Sequence, residues 1–590
     1  MLMSLWATIG AINYQGQAMS AEQQWDYSYD VVVVGSGNGG MTAAVCTYEM
    51  GTKDVLVIEK SDLYGGTSSI SGGGVWIPGN RYAKEAGAED SFDKAKTYLR
   101  QLITEEEVPE YQLDAFLENG PKMVDFLHER TQVRYVTLEH YPDYYTNLEG
   151  GMEGHRSMEP ETFDASELGE EWKRLRRTHQ MMHLAGVIGI TQVEAAVMVG
   201  QQPGWWKSIF KLFLDYMLDI PWRLKSKFHR RLATGCAGVA RLRASMLDRD
   251  MPLWLNTSMT SLVEEDGKVV GLEVTRDGKP LRIQARKGVV LAAGGFEHNQ
   301  EMREEYLPQP TDHKWSAGTF DNTGDAHKEA MRLGAKMHRL NEAWWCNTIT
   351  VPGEDIPRLS VMERSYPGSV IVNPAGKRFS NESQNYMAFQ LETFAKHTEE
   401  SPTYPTWQIF DADFRANYFV GPLFNSKFRP DWQVPKSFNY QQGGFYAKAD
   451  SIAELARAID VDVSGLEETV VNMNEYAKTG VDPECNRGES AYDRYYGDPR
   501  VTPNPCLGPV MKPPFYAVRL DPGDFGTQGG MVINAEAQVV REDGSLIEGL
   551  YACGNCSAPT LPCYPGPGST LGPSMTFGYQ AAKSITGYQD

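Results

Sequence analysis

The hydrophobic positions fall into short β-branched runs, separated by glycine turns and by amphipathic stretches. Residues 29–34 read YDVVVV, a short run rich in β-branched residues that predicts a buried strand. Gly35-Ser36-Gly37-Asn38-Gly39-Gly40 follows at once, and MTAAVCTYEMG then predicts a helix closed by Gly51. VLVIEK at 55–60 is a second strand and carries Glu59 at its end. Farther on, 254–274 alternates as a hairpin, and 288–299 reads as a strand running into a glycine turn. Residues 549–579 read as a strand, a loop and the entry to a helix. Between these, PGSVIVNPAGKRFSNES predicts a hairpin turning at Pro374-Ala375-Gly376, and SIAELARAIDVDVSGLEETVVNMNEYAKTG predicts two amphipathic helices.

One segment has a different pattern. In 204–232, Lys207, Lys211, Asp215 and Asp219 recur every four residues as a narrow polar stripe. Trp205, Trp206, Ile209, Phe210, Leu212, Phe213, Tyr216, Met217 and Ile220 cover the rest of the helix, which Pro221 ends or kinks. A basic tail follows with Arg223, Lys225, Lys227, Arg230 and Arg231, so seven cations face two aspartates inside an acidic chain. Tryptophans, a wide apolar face and flanking cations predict a helix lying in a membrane interface, too short and too charged to span it.

Length and charge narrow the picture. The 590 residues suit two or three domains. A net charge of −21 repels phosphate backbones, so nucleic acid is not an expected partner. The eight cysteines are scattered, as reduced thiols in a cytoplasmic protein would be. Cys553-Gly-Asn-Cys556 has no partner pair and reads as packing; no metal site is expected. Residues 1–27 lack a basic start and a sustained apolar stretch, and read as a disordered tail with Met19 as a natural start.

The first strand, helix and second strand form a βαβ unit with dinucleotide chemistry. Gly35 permits the tight turn, Gly37 lets the backbone approach a pyrophosphate at the helix N-terminus, and Gly40 lets helix and strand pack closely. Glu59 can accept hydrogen bonds from ribose hydroxyls. LYGGTSSISGGGVWIP at 63–78 adds a second cluster of glycines and hydroxyls.

With that cluster, and with the segments at 254–274, 288–299 and 549–579, the chain resembles the FAD-binding fumarate reductase and succinate dehydrogenase flavoprotein superfamily. The resemblance spans nearly everything after residue 28. It implies an α/β architecture: a discontinuous Rossmann-like FAD-binding domain, 28–345 and 520–590, with an inserted α+β substrate domain at 346–519 and the amphipathic insertion at 204–232. Beyond the residues above, it implies FAD contacts at Ser36, Lys60, Gly66, Thr67, Ser68, Gly72, Gly73, Met259, Ala293, Gly294, Asp325, Gly554, Asn555, Thr570 and Leu571. Members with covalent FAD carry a histidine where this chain has Gly66-Thr67-Ser68-Ser69, so the flavin is expected to be non-covalent. No second GxGxxG unit is present to form an NAD(P)H site.

Within the superfamily, fumarate reductases place a proton-donating arginine five residues after the Asn of an RF-x-NE segment. Here the segment is Arg378-Phe379-Ser380-Asn381-Glu382, and the fifth residue is Tyr386. Tyr564-Pro565-Gly566-Pro567-Gly568-Ser569-Thr570 is similar to the YPGxGxT loop of the 3-ketosteroid Δ1-dehydrogenases. That resemblance implies that the Tyr564 hydroxyl and the Gly568 amide bond the C3 carbonyl of a 3-ketosteroid, that Tyr386 takes the C2 proton, and that the C1 hydride passes to flavin N5. The stretch His140–Gly151 is similar to the region that supplies a supporting tyrosine; Tyr145 is the favoured residue and Tyr144 the second choice. The alternatives are Δ4-(5α)-dehydrogenation of the same substrates and, in another class, reduction of an unsaturated acid. A membrane-seated enzyme acting on sterols, cholestenone-like ones included, would meet a quinone as electron acceptor.

Overall fold

A computed structural model of the chain describes residues 25–199 and 204–589. An eight-stranded mixed sheet forms its centre. Tyr27–Val34 lies between Val55–Ile58 and Lys279–Leu291, parallel to both, and Leu253–Trp254 extends the sheet beyond Val55–Ile58. The first half of Lys279–Leu291 pairs antiparallel with Lys268–Arg276, and its last three residues pair parallel with Leu550–Ala552. Val31, Val32 and Val33 are fully buried, each contributing about 1.5 kcal/mol or more relative to exposure. The first helix, Asn38–Glu49, packs against the last, Leu571–Thr586, so the two ends of the chain close one nucleotide fold.

The first strand starts at Tyr27, two residues before the apolar run. Tyr27 pairs with Ile283, the Asp26 amide donates to the Arg282 carbonyl, and the Arg282 guanidinium covers the Trp25 ring. Tyr27 therefore belongs to the sheet, and Trp25 and Asp26 are held against it and not in a tail; residues 1–24 lie outside the described residues.

A second, four-stranded antiparallel sheet runs Ser369–Val372, Thr406–Phe410, Phe515–Leu520, Tyr446–Ala449. The helices Ile452–Ala458 and Val463–Thr479 form as predicted and cover one face, with Leu455, Leu466 and Met473 on Val370, Trp407 and Ile409. The other face buries Ile371, Phe410 and Val518 against Phe389 and Phe414. The hairpin expected after Val372 does not form. Its turn does, with the Asn373 amide donating to the Lys377 carbonyl, but the returning segment leaves the sheet. Buried Arg378 ties that segment down, pairing at 2.7 Å with both Glu382 and Asp482.

The amphipathic segment forms helices at Trp205–Leu218 and Ile220–Arg223, with Pro221 accepted in the first turn of the second. Leu212 and Trp222 are buried, and the Trp222 ring packs 4.9 Å from that of Trp172. Trp206, Phe210, Leu214, Met217, Leu218 and Ile220 are exposed. Among the described residues, no helix is long and apolar enough to cross a membrane.

Candidate functional site

The glycine turn after the first strand is backbone-on-backbone. A Cβ at Gly35, whose φ is +110°, would stand 2.2 Å from the Ala292 carbonyl oxygen, and one at Gly40 would stand 2.2 Å from that of Gly35. The helix N-terminus is thereby held bare beside the end of the sheet. The Ser36 hydroxyl donates to Glu59 at 2.6 Å, and the Ser36 and Ser61 amides donate to the same carboxylate at 3.2 and 3.0 Å. Glu59 is thus fixed at the edge of the cradle.

The hydroxyl cluster is also oriented. The Asn38 amide donates to Ser68 Oγ at 3.1 Å. Thr67 Oγ1 accepts from the Thr319 amide at 3.2 Å and from Asn322 Nδ2 at 3.1 Å, which leaves its own proton to aim elsewhere. Lys60 pairs with Asp325 at 2.8 Å. Asn38, at the start of the first helix, is buried with neither its side-chain Nδ2 nor its Oδ1 partnered among the described residues. A buried amide in that condition fits a polar ligand group and would be costly without one.

A cavity of about 650 Å3 runs from this cradle into a cluster of tyrosines. Gly35, Ser36, Gly37, Gly40, Glu59, Lys60, Gly66, Thr67, Ser68, Gly72, Gly73, Met259, Ala293, Gly294, Asp325, Gly554, Asn555, Thr570 and Leu571 all line it, as do Tyr386, Tyr564 and Gly568. Tyr145 does not. The cavity is thus lined at one end by glycines and a helix N-terminus, and at the other by aromatic rings and hydroxyls.

Tyr386 opens the helix Tyr386–Ala395, which Asn385 caps by accepting from the Ala388 amide at 2.9 Å. Burial drives its phenol well above the ordinary value, and the neighbouring Tyr564 and Tyr141 add to that shift. Two features oppose it. The Tyr144 hydroxyl donates to the Tyr386 oxygen at 3.0 Å, and the helix N-terminus carries partial positive charge. The sequence favoured Tyr145 over Tyr144 as the partner of Tyr386; the hydroxyl bonded to Tyr386 is that of Tyr144. The Tyr144 amide donates to the Pro565 carbonyl at 2.8 Å, turning its ring inward, and the next residue then faces away. The Tyr145 hydroxyl donates instead to the Cys563 carbonyl at 3.4 Å.

Tyr564 sits in the left-handed backbone region, with φ +54°, a conformation that costs a bulky residue about 1–3 kcal/mol. The Tyr386 hydroxyl, the Thr570 hydroxyl and the Gly568 amide all lie close enough to the Tyr564 oxygen to favour its charged form. Burial raises the Tyr564 phenol, and those donors oppose the rise. A Cβ at Gly568, φ +102°, would meet Gly74 backbone atoms at 2.5 Å. The carbonyls of Pro565 and Pro567 accept from Tyr98 and Ser157 at 2.7 and 2.8 Å and hold the loop rigid.

Sequence reasoning missed Tyr141, Tyr495 and Tyr496, which also line the cavity. The Tyr141 and Tyr496 hydroxyls are hydrogen-bonded to each other. Only the density of tyrosine at 141–145 and 492–496 hinted at the cluster. Cys553 and Cys556 are buried free thiols, and the Cys556 thiol donates to the Leu291 carbonyl at 3.1 Å. No cluster of metal-ligating side chains occurs among the described residues.

Residues 30–571 match the family model described as FAD binding domain. The chain is 39% identical to a 3-oxosteroid 1-dehydrogenase of Mycobacterium tuberculosis strain H37Rv, over 94% of this chain and 98% of that one. It is 35% identical to the 3-oxosteroid 1-dehydrogenase of Comamonas testosteroni, over 96% and 97% of the two chains. Among solved structures, it resembles the 3-ketosteroid delta1-dehydrogenase of Sterolibacterium denitrificans in complex with 1,4-androstadiene-3,17-dione. The TM-score is 0.91 and the identity 45%, over 95% of this chain and all of that one.

Proposed function

The chain belongs to the FAD-binding-domain family and, within it, to the 3-oxosteroid 1-dehydrogenases, and from that premise we propose how its own residues carry out the 1,2-dehydrogenation of a 3-ketosteroid. The observation that carries the proposal is that Tyr564 and Gly568 line one cavity with Tyr386, whose ring lies 5.6 Å from that of Tyr564, and that this cavity is continuous with the dinucleotide cradle. A C3 carbonyl seated against the Tyr564 hydroxyl and the Gly568 amide accepts from both, and the two donors stabilise the negative charge that builds on its oxygen when C2 loses a proton. Tyr386 takes that proton as phenolate. Tyr144 and the helix N-terminus at Tyr386 hold charge on the phenol oxygen. Bound without a covalent link in the cradle, FAD supplies the acceptor for the hydride that leaves C1. The residues from 346 to 519, which include the four-stranded sheet and Tyr386, act as the substrate domain.

Turnover of a 3-keto-4-ene steroid with an artificial electron acceptor tests the regiochemistry. A 3-keto-1,4-diene product, read from its ultraviolet spectrum and from the vinyl protons by NMR, is the expected result. Substrate reduced at C5, converted only to the 4-ene, would overturn it.

The segment at 204–232 seats the enzyme on the cytoplasmic face of a membrane. Trp206, Phe210, Leu214, Met217 and Leu218 are exposed at helical spacing, with Lys207 and Lys211 beside them. Ile209 of the same helix lines the cavity, which supports entry of cholestenone-like sterols from the bilayer and a quinone as the electron acceptor. All eight cysteines are free, which supports a reducing compartment. Sedimentation with anionic vesicles tests the seat: wild type should pellet, and Phe210→Asp with Leu218→Asp should not. Equal pelleting of the two would overturn it.

A further inference from the structure

The cavity mouth has a second wall. His179, on the side of the amphipathic helix, places its Nε2 3.2 Å from the Ile356 carbonyl, and the Arg358 guanidinium lies 3.4 Å from the Gly421 carbonyl. These contacts lead across the opening to the loop 424–432. Phe424, in that loop, lines the same cavity as Ile209. Phe424, Phe428 and Trp432 stand at four-residue spacing and are 51, 75 and 81% exposed. Single exposed apolar residues are ordinary; three large aromatics in nine residues, the first of them lining the cavity, are not.

The loop is firmly built. Arg415 is buried, donates to the Phe424 and Arg429 carbonyls, and lies 3.4 Å from Asp431. Asp431 in turn pairs with Lys448 at 2.6 Å and accepts from Tyr516 at 2.8 Å. The aromatic tips are therefore presented by a braced loop. Lys427, Arg429 and Lys436 flank them, and none of the three has an ion pair among the described residues. In a chain of net charge −21, this is a cationic patch with aromatic points. It complements an anionic phospholipid surface, where Trp and Phe settle at headgroup depth and lysines remain at the phosphates.

We infer that loop 424–432 is a second membrane seat, entering the same anionic leaflet as the helix Trp205–Leu218, so that the cavity mouth between them opens onto lipid. The inference rests on the membrane reading of that helix. Each seat alone buries little apolar area, and two together give binding that neither supplies.

The test uses the flavin-bound enzyme and vesicles of phosphatidylcholine containing phosphatidylglycerol. Phe428 and Trp432 are exposed, so Phe428→Ala/Trp432→Ala should fold and keep its flavin absorbance. It should partition about tenfold more weakly than wild type. Brominated phosphatidylcholine in the vesicles should quench the Trp432 emission, taken as wild type minus Trp432→Phe. If wild type pellets while the double variant pellets equally well, or Trp432 emission ignores brominated lipid, the loop is no seat and the helix reading survives. If wild type itself fails to pellet, both fall. If, without lipid, light scattering finds wild type dimeric and the double variant monomeric, the patch covers a second copy of the chain and the inference is overturned.

Discussion

The Tyr144 hydroxyl donates to the Tyr386 phenol oxygen across 3.0 Å, although 242 residues separate the two in the chain. A donor on that oxygen favours phenolate over phenol and opposes the burial that raises Tyr386. Removing it should slow the reaction, and removing its neighbour should not. Tyr144→Phe is expected to lower kcat by about ten- to a hundredfold, and Tyr145→Phe by less than about threefold. Steady-state kinetics on the two variants decides which tyrosine supports the base.

The pH profile follows from the direction of the Tyr386 shift. A base whose pKa is raised carries its charge only at higher pH, so activity is lost as pH falls. kcat/KM should climb through the alkaline range without a plateau at neutral pH, the ordinary phenol value being about 10. Tyr144→Phe should move this limb to still higher pH. A flat profile from neutral to alkaline pH would mean another group accepts the proton.

Gly568 has no room for a side chain, because a Cβ would meet the Gly74 and Val75 backbone at 2.5–2.6 Å and the residue holds φ +102°. If the amide faces the carbonyl oxygen as proposed, Gly568→Ala should displace it and lower kcat/KM by about a hundredfold or more. Flavin absorbance of the purified variant should be retained, since the cradle of Ser36, Glu59 and Thr67 is untouched.

How much could be read beforehand follows from how local each constraint is. The βαβ unit was legible because strand, glycine turn, helix and second strand follow one another within residues 29–60, and Gly40 answers to a contact within the turn itself, the Gly35 carbonyl. That Tyr386 and Tyr564 line the cavity was legible because each stands at a defined step in a short motif. Tyr144 and Tyr145 are adjacent in an irregular segment, and the bond from the Tyr144 amide to Pro565, more than four hundred residues on, decides which ring turns inward. The hairpin after Val372 was misread because Glu382 and Asp482, which draw Arg378 out of register, are not part of its periodicity. The sheet's start at Tyr27 was missed because Tyr27 and Ser28 are exposed edge residues with no hydrophobic signature.

Glu297 offers a stability test away from the chemistry. Burial raises its carboxyl from 4.5 to about 7, with Asn322 donating to it at 2.6 Å. The folded state therefore holds a proton that the unfolded chain has lost, so this group's contribution to stability falls as pH rises from about 4.5 to 7. Glu297→Gln cannot ionise. Its Tm relative to wild type should be higher at about pH 8 than at about pH 5. A difference that does not change with pH would mean that Glu297 is already ionised in the folded protein across that window.

The most direct test of the central claim is anaerobic rapid mixing with a 3-keto-4-ene steroid, following the flavin absorbance of wild type and of Tyr386→Phe. Wild type should bleach rapidly; the variant, with its flavin bound, should bleach at least about a thousandfold more slowly. Bleaching of the variant at the wild-type rate would contradict the assignment of the proton to Tyr386.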